Sequence, residues 1–372
     1  MTKIILILLG LIIPGILLSK DNNLQKFYVG TYTKEGAEGI YYCSFDTNTG
    51  EITLERTFKA VDNPSFVVLS PDKKYLYSVS EIATMPGGKV GGVSAYKVDA
   101  KGELHFLNKQ SSHGDNPCHV GISSDGSYVV VSNYTSGSVS LYPVNNDGSL
   151  GKSSTVVQNE GTGPNKARQE GPHAHSSKFS PFSDEVFNAD LGTDQLNIFH
   201  LKDGQLKQEG QLFVKLAPGA GPRHFEFHPN GKVIYVISEL NSTVSVLRKK
   251  NEEWEAGQVI STLPAGFKGE SYCADIHISN DGRFLYGSNR GDNSIAVFEV
   301  NEKDQTLKML ETVSVEGNWP RNFGISPDGN WLLAANQKSG NISVFKINRQ
   351  TGKIEFSGNE IKLPSPVCIE FD

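Results

Sequence analysis

Arg223 and Glu239 lie at the two ends of the segment GPRHFEFHPNGKVIYVISEL, residues 221–240. Two apolar runs separate them, and the turn-forming letters HPNG stand between the runs. The segment therefore predicts a β-hairpin. Because both charged residues lie about equally far from the turn, they should be cross-strand neighbours. A guanidinium held against a carboxylate lowers the pKa of that acid and can donate hydrogen bonds to a developing oxyanion.

The hairpin is one copy of a repeat, in which an apolar run, a turn of the Ser-Pro-Asp-Gly kind and a second apolar run recur. NPSFVVLSPDKKYLYSVSE (63–81) and WPRNFGISPDGNWLLAANQ (319–337) are two further copies. A third run with alternating faces, such as SVSLYPV, follows most copies, and a weaker fourth run comes after it. Successive copies begin 53, 57, 48, 51 and 47 residues apart, the size of a four-stranded propeller blade. The first residues of the hairpins are Ser65, Cys118, His175, Arg223, Ala274 and Arg321.

A seventh unit is split between the two ends of the sequence. SPVCIEFD (365–372) matches a first strand, and KFYVGTY with GIYYCSFD, near residues 26–45, matches second and third strands. Placing them in one blade closes the ring and leaves no open edge. The prediction is thus an all-β, seven-bladed β-propeller of four-stranded blades, whose N- and C-terminal strands share one blade. Six or eight blades are less consistent with the repeat. Residues 20–372 form a single domain in this reading.

The repeat also predicts where the polar residues collect. The hairpin symmetry pairs Ser65 with Glu81, Cys118 with Tyr134, His175 with Leu191 and its neighbour Asp190, Ala274 with Arg290, and Arg321 with Gln337. Since the first strand of each unit lines the central channel, all these pairs should lie at one mouth of it, with the turns at the other. Convergent polar groups in a pocket are typical of a binding site. A purely structural network of ion pairs is the alternative.

Four sequence features resemble the lactonase family of seven-bladed propellers. They are GPHAH with His175, GPRH with Arg223, SE with Glu239 and NRG with Arg290. The resemblance extends from about residue 26 to the end. The family includes lactone hydrolases of the 6-phosphogluconolactonase type and carboxymuconate cyclases, and the resemblance implies that these four residues are catalytic.

The resemblance implies hydrolysis of a small, anionic sugar lactone by a water that Glu239 or His175 activates as general base. Arg223 would stabilise the oxyanion, while Arg290 and Arg321 would hold a carboxylate or phosphate. The remaining candidates for substrate contact are His173, His119, His224, Asp190, Tyr134 and Glu81. Two alternatives stay open: a cycloisomerase acting on carboxymuconate-type diacids, and a non-enzymatic extracellular binding propeller.

The composition narrows the range of partners. The formal net charge is −6, and no Lys/Arg run is longer than RKK, so nucleic acid is excluded as a partner. Residues 1–19 contain one lysine and an apolar stretch, which indicates a secretory signal peptide. An uncleaved anchor is the alternative, because the cleavage site is not a clean small-x-small pattern. The mature protein is predicted to be a monomer, free of the membrane, in the periplasm or outside the cell.

The four cysteines are Cys43, Cys118, Cys273 and Cys368, and no CxxC motif occurs among them. They stand in or beside apolar runs, so packed free thiols are the prediction. The histidines of the predicted mouth lack a recognisable metal motif. We therefore expect neither a metal nor another cofactor.

Overall fold

The computed structural model describes residues 23–59, 61–83 and 91–372. Its strands form seven antiparallel sheets, six of four strands and one of five, and the sheets are the blades of a β-propeller. One short 3-10 helix, Thr33–Glu35, lies among the described residues. The predicted all-β, seven-bladed fold is confirmed.

The strands follow the repeat of the sequence. In the first half of the chain they are β1 (Leu24–Thr31), β2 (Ile40–Asp46), β3 (Ile52–Phe58), β4 (Val67–Leu69), β5 (Tyr75–Ser80), β6 (Gly92–Val98), β7 (Leu104–Ser111), β8 (Pro117–Ile122), β9 (Tyr128–Asn133), β10 (Ser138–Pro143), β11 (Thr155–Gln158), β12 (Ala174–Phe179), β13 (Glu185–Asp190) and β14 (Gln195–Lys202). The second half has β15 (Gln205–Lys207), β16 (Phe213–Lys215), β17 (Pro222–Phe227), β18 (Val233–Ser238), β19 (Thr243–Lys250), β20 (Glu253–Ser261), β21 (Tyr272–Ile278), β22 (Phe284–Arg290), β23 (Ser294–Val300), β24 (Leu307–Ser314), β25 (Pro320–Ile325), β26 (Trp331–Asn336), β27 (Asn341–Ile347), β28 (Ile354–Lys362) and β29 (Pro366–Phe371).

One blade is assembled from both ends of the described chain. Its strand order is β29, β1, β2 and β3, and β29 pairs antiparallel with β1, with Phe27 opposite Phe371. The predicted closure of the ring by terminal strands in one blade is therefore confirmed. The other inner strands are β4, β8, β12, β17, β21 and β25. The side of the ring on which the inner strands begin is called the start side below.

Every inner strand except β4 carries a β-bulge close to its first residues, which the hairpin symmetry does not predict. Pro222 pairs with Ser238 and His224 pairs with Ile237, so Arg223 is the extra residue of its strand. Direct backbone pairing of Arg223 with Glu239 was thus the wrong register. Similar register shifts occur near Cys118, His175, Ala274 and Arg321. A bulge re-aims a side chain, and here it moves the first charged residue of the strand out of the ladder.

The hydrophobic core lies between the blades. Seven clusters of buried apolar residues are present in the described part of the chain, and each joins two neighbouring blades. In one of them Phe187 of β13 packs with Phe225 of β17 and Trp254 of β20. The four cysteines are buried and free, as predicted. The apolar faces of the strands therefore fix the ring and leave the inner strands to present polar side chains.

The predicted signal peptide, residues 1–19, lies outside the described residues and stays a prediction. Within the described ranges, we find no helix with the length and apolar character needed to cross a membrane.

Candidate active site

Three arginines surround a single buried carboxylate on the start side. Glu239 directly follows β18 and is 5% exposed. Its Oε1 accepts a hydrogen bond of 2.6 Å from Arg168 Nη2, and its Oε2 accepts one of 2.6 Å from Arg290 Nη2. Arg223 Nε lies 3.2 Å from Oε2. These four residues are called the arginine cluster, and they join three separate parts of the chain at one point.

The arginine cluster keeps Glu239 ionised. Burial by itself would raise the pKa of this carboxyl, but Arg290, Arg223 and Arg168 together lower the pKa to about 2. Both carboxylate oxygens accept hydrogen bonds from guanidinium groups, so the charge of Glu239 is committed to the arginines. The role that the geometry gives Glu239 is to hold the arginines in place.

Arg223 is the most enclosed member of the cluster, with 2% of its surface exposed. Its Nη1 donates to the carbonyl oxygen of Ala274 and lies 3.4 Å from His224 Nε2. Burial and the nearby Arg290 and Arg321 lower the pKa of Arg223 to about 9, so the group is cationic at neutral pH. Its Nε forms the ion pair with Glu239 Oε2, although the N–H is not aligned for a hydrogen bond to that oxygen.

Arg290 ends β22 and is held by more than Glu239. Its Nη2 also donates to the carbonyl oxygen of Cys273 over 2.9 Å, and its guanidinium lies 5.5 Å from the ring centre of Trp319. A guanidinium attracted to the face of an indole has fewer orientations open to it. Arg290 is therefore oriented from several sides before any ligand arrives.

Arg321, at the bulge of β25, differs from these three arginines. Its guanidinium lies 5.4 Å from the ring centre of Tyr32, and it forms no ion pair within 4 Å with a described residue. The nearby Glu81 instead accepts hydrogen bonds from Tyr32 Oη, over 2.8 Å, and from Ser65 Oγ. Arg321 is therefore not neutralised by a carboxylate in contact with it among the described residues.

Three buried imidazoles lie beside the arginines. The ring centres of His119 and His224 are 5.6 Å apart, and those of His175 and His224 are 5.3 Å apart. Burial lowers the pKa of all three histidines, and Arg223 lowers each of them further. For His224 the pKa falls to about 4. The three rings are thus neutral at pH 7.

The other predicted contact residues hold one wall of the site. The rings of Tyr134 and His173 stack at 4.6 Å, His173 Nδ1 lies 3.0 Å from the carbonyl oxygen of Tyr134, and Tyr134 Oη accepts from Arg168 over 3.2 Å. Asp190 is buried and accepts hydrogen bonds from the backbone N–H groups of His173, Gly192 and Thr193. Asp190 therefore fixes the backbone at His173 and in the turn after β13.

A family model described as "Lactonase, 7-bladed beta-propeller" matches residues 26–371. The chain belongs to this lactonase family. The prediction of an enzyme of the lactonase type is therefore confirmed at the level of the family, as is the resemblance stated from the motifs.

Relatives within the lactonase family cover nearly the whole chain. The chain is 41% identical to the 6-phosphogluconolactonase of Bacillus subtilis over 347 residues, which is 92% of this chain and 97% of that protein. It is 38% identical to the 6-phosphogluconolactonase of Formosa agariphila over 306 residues, covering 80% and 85%. Among solved structures, the periplasmic gluconolactonase of Pseudomonas aeruginosa superposes with a TM-score of 0.87 at 33% identity, covering 94% of this chain and 99% of that one.

The structure of this lactonase-family chain brings together most of the predicted site and adds residues that the sequence reading missed. Arg168 comes from the long irregular stretch between β11 and β12, and Trp319 precedes β25. A long loop is often functional, which was the available signal for Arg168. Trp319 carried no such signal. Within the described ranges, no group of three or more His, Cys, Asp or Glu side chains is arranged to hold a metal ion.

Proposed function

We propose that this protein hydrolyses a small, anionic sugar lactone of the 6-phosphogluconolactonase type, at the start-side mouth of the propeller channel. One observation carries the proposal: Glu239 fixes three arginines around itself, while Arg321 beside them has no ion pair with a described residue. Such an arrangement is suited to binding a substrate that is already an anion and that gains more negative charge in the transition state. The names of the Bacillus subtilis and Formosa agariphila relatives support the same reaction.

The proposed reaction needs one proton transfer in each direction. A neutral imidazole takes a proton from water, and the water oxygen forms a bond to the lactone carbonyl carbon. The carbonyl oxygen becomes an oxyanion, to which Arg223 donates. When this tetrahedral intermediate collapses, the bond from the carbonyl carbon to the ring oxygen breaks, and the departing alkoxide takes the proton from the imidazolium. The product is the open hydroxy acid.

The catalytic set that we propose is His175, Arg223, Glu239 and Arg290, with refined roles. Glu239 orients the arginines, Arg223 and Arg290 stabilise negative charge, and His175 contacts the reacting group from the imidazole side. Arg321 grips the anionic substituent of the substrate. Tyr134, His173, His119, Glu81 and Asp190 shape the walls around it.

Arg321→Gln is expected to raise KM for 6-phosphoglucono-δ-lactone about 10- to 100-fold, because a charge-assisted contact worth roughly 1.5–3 kcal/mol is lost. The kcat value should change less than about threefold, since the contact is present in both ground and transition states. Steady-state kinetics would be measured beside unphosphorylated glucono-δ-lactone, whose KM should stay the same. A comparable rise in KM for both lactones would contradict the role of Arg321 as the anion-binding residue.

The matched control for that variant is Arg283→Gln. Arg283 is an arginine on the opposite, turn side of the ring, where it pairs with Asp281 over 2.9 Å. Arg283→Gln also removes one arginine charge, but on the side away from the site, and it should leave the KM values for both lactones unchanged.

The function itself is tested by assaying the purified protein on a panel of lactones, with muconate-type diacids and a chelator in parallel. Opening of a phosphorylated or carboxylated sugar lactone, at an undiminished rate with chelator, is the expected result. Turnover of the diacids alone would replace the proposal with a cycloisomerase. Absence of turnover on the whole panel would favour the binding propeller.

Export is a separate proposal, and it depends on residues 1–19. The Pseudomonas aeruginosa relative is named as a periplasmic protein, which supports it. N-terminal sequencing of the protein recovered from the producing cell's extracytoplasmic fraction is the test. An unprocessed chain found in the cytoplasm would contradict export. Monomeric state and a small anionic substrate as sole partner likewise stay predictions.

A further inference from the structure

His224 is held by a buried aspartate that hairpin symmetry did not single out. Asp275 lies in β21 within the bulged segment and is 3% exposed, while His224 is 5% exposed. Asp275 Oδ1 lies 2.6 Å from His224 Nδ1, with the imidazole as the donor when the carboxylate is ionised. A short bond between a buried carboxylate and an imidazole orients the ring and fixes which nitrogen carries the proton.

The second carboxylate oxygen of Asp275, Oδ2, is contacted by three hydrogen-bonding groups. His277 Nε2 lies 3.0 Å from Oδ2, the Phe323 N–H donates to it over 3.3 Å, and Asn322 Nδ2 donates to it as well. Burial would raise the pKa of Asp275, but His277 and His224 outweigh burial and hold the pKa well below its usual range. The aspartate is therefore a fixed anion, bound on the side remote from His224 by three donors.

With Nδ1 protonated, His224 presents the lone pair of Nε2. That nitrogen faces the arginine cluster and accepts a long hydrogen bond of 3.4 Å from Arg223 Nη1, which the attacking water replaces. The atom able to accept a proton is consequently next to the group that is proposed to stabilise the oxyanion.

The neighbouring imidazoles lack this support. Of the three buried imidazoles in the site, His224 contacts a carboxylate, whereas His175 and His119 have no ion pair within 4 Å among the described residues. Arg223, Arg321 and Arg290 all disfavour a proton on His175. An imidazolium that forms at His224 thus has the Asp275 carboxylate as its counter-charge, whereas one at His175 has no carboxylate in contact among the described residues.

We infer that His224 is the general base of the proposed hydrolysis and that Asp275 is its positioning residue. The inference rests on the proposed function and deepens it. His224 Nε2 takes a proton from the attacking water. Throughout the reaction the Nδ1–H of His224 keeps its proton and its hydrogen bond to Asp275. On collapse of the intermediate, Nε2–H gives the proton to the ring alkoxide, so His224 is neutral again. His175 stays neutral and contacts the substrate without taking a proton from the water.

The charges that face His224 come from several strands. Arg223 is its neighbour on β17, His119 approaches from β8, His175 and Lys178 from β12, and Asp275 from β21. Arg223 and Lys178 disfavour the imidazolium, while Asp275 favours it. The pKa of His224, about 4 in the free protein, sets the expected acid limb of kcat/KM. Activity should be lost as the pH falls through about 4, because the base is then protonated.

The test is a kinetic comparison of Asp275→Asn, His224→Ala and the double variant, with 6-phosphoglucono-δ-lactone as the probe. Asp275→Asn should lower kcat about 1,000- to 10,000-fold, because an amide stabilises the wrong tautomer, with KM changed less than about threefold. His224→Ala should lose a similar factor. The double variant should lose no more than either single change, since residues that act as a unit are not additive. The acid limb of Asp275→Asn should lie below that of the wild type.

Glu185→Gln is the matched control for removal of a buried carboxylate. Glu185 pairs with Lys249 over 3.2 Å and with Trp254 Nε1, away from the arginine cluster. It should lower stability while leaving kcat unchanged. Retention of kcat within about threefold in Asp275→Asn or in His224→Ala would overturn the inference. So would a double variant whose loss equals the product of the two single losses.

Further outcomes distinguish failure of the proposed hydrolysis from failure of the assignment of His224 as the base. If Asp275→Asn does not fold, the kcat of His224→Ala and the acid limb of the wild type decide. An acid limb at pH 6 or above would mean that a group other than His224 is the base. If the wild type opens no lactone, the proposed function fails. If the wild type opens the lactone while both single variants keep their kcat, only the present inference fails.

Discussion

Glu239→Gln is expected to lower kcat/KM for the lactone about 100- to 1,000-fold, because the arginines lose the carboxylate that orients them toward the reacting carbonyl. The amide has nearly the same shape as the carboxylate, but it carries no charge and turns a donor toward one of the guanidinium groups. Stability should fall by about 3–5 kcal/mol, the usual cost of breaking a buried ion pair from one side. Steady-state kinetics and urea unfolding at pH 7 measure the two effects.

The dependence of stability on pH gives the same variant a second readout. The pKa of Glu239 is about 2 in the folded protein and about 4.3 in an unfolded chain, so its stabilisation is present above pH 4.3 and is lost as the pH falls toward 2. That component is about 3 kcal/mol in the wild type, and Glu239→Gln should lack it. Glu185→Gln serves as the control that keeps it. Wild-type kinetics in Glu239→Gln would contradict the role of Glu239 in orienting the arginines.

Arg223→Lys is expected to reduce kcat about 100-fold while KM stays within about threefold. The ammonium keeps the charge, but it cannot reproduce the planar fork that reaches Glu239 with Nε and the Ala274 carbonyl with Nη1. Loss of one preorganised oxyanion donor has this size in other acyl-transfer sites. The measurement is kcat and KM on the same lactone, beside Arg223→Ala, which should be slower still.

Arg283→Lys on the turn side is the control for that exchange. A rise in KM with unchanged kcat for Arg223→Lys would contradict this prediction. It would mean that Arg223 binds the substrate equally in the ground state and the transition state.

The architecture could be predicted because the same turn chemistry recurs at a nearly constant spacing. Each Ser-Pro-Asp-Gly turn fixes a hairpin, and the match between SPVCIEFD and a first strand predicts the shared blade without any knowledge of packing. The meeting of Arg223 with Glu239 followed from the same counting, although the strands pair one residue out of that register after the bulge and two residues out before it. A bulge adds a residue to one strand only, and period-two counting cannot detect it.

The parts of the site that escaped prediction lie outside the repeat or inside the bulge. Arg168 comes from a loop with no counterpart in the other blades, so no column of the repeat points to it. Asp275 is hidden for a different reason. Symmetry about the turn placed Ala274 opposite Arg290, whereas the bulge places Tyr272 there. The carboxylate next in sequence to Ala274 then reaches His224 across the boundary between two blades, a contact that depends on the closed ring.

The shared blade has a consequence for biosynthesis. The backbone N–H of Ile369, in β29, donates over 2.7 Å to Asn322 Oδ1, and Asn322 Nδ2 in turn donates to Asp275. A growing chain has therefore made the whole arginine cluster and His224 before it makes the strand that steadies Asn322. A nascent chain that stops short of β29 can carry the whole arginine cluster and His224 and still lack this support for Asp275. Closure of the shared blade thus completes the support of Asp275, so a chain whose β29 has not paired with β1 should hold His224 less firmly.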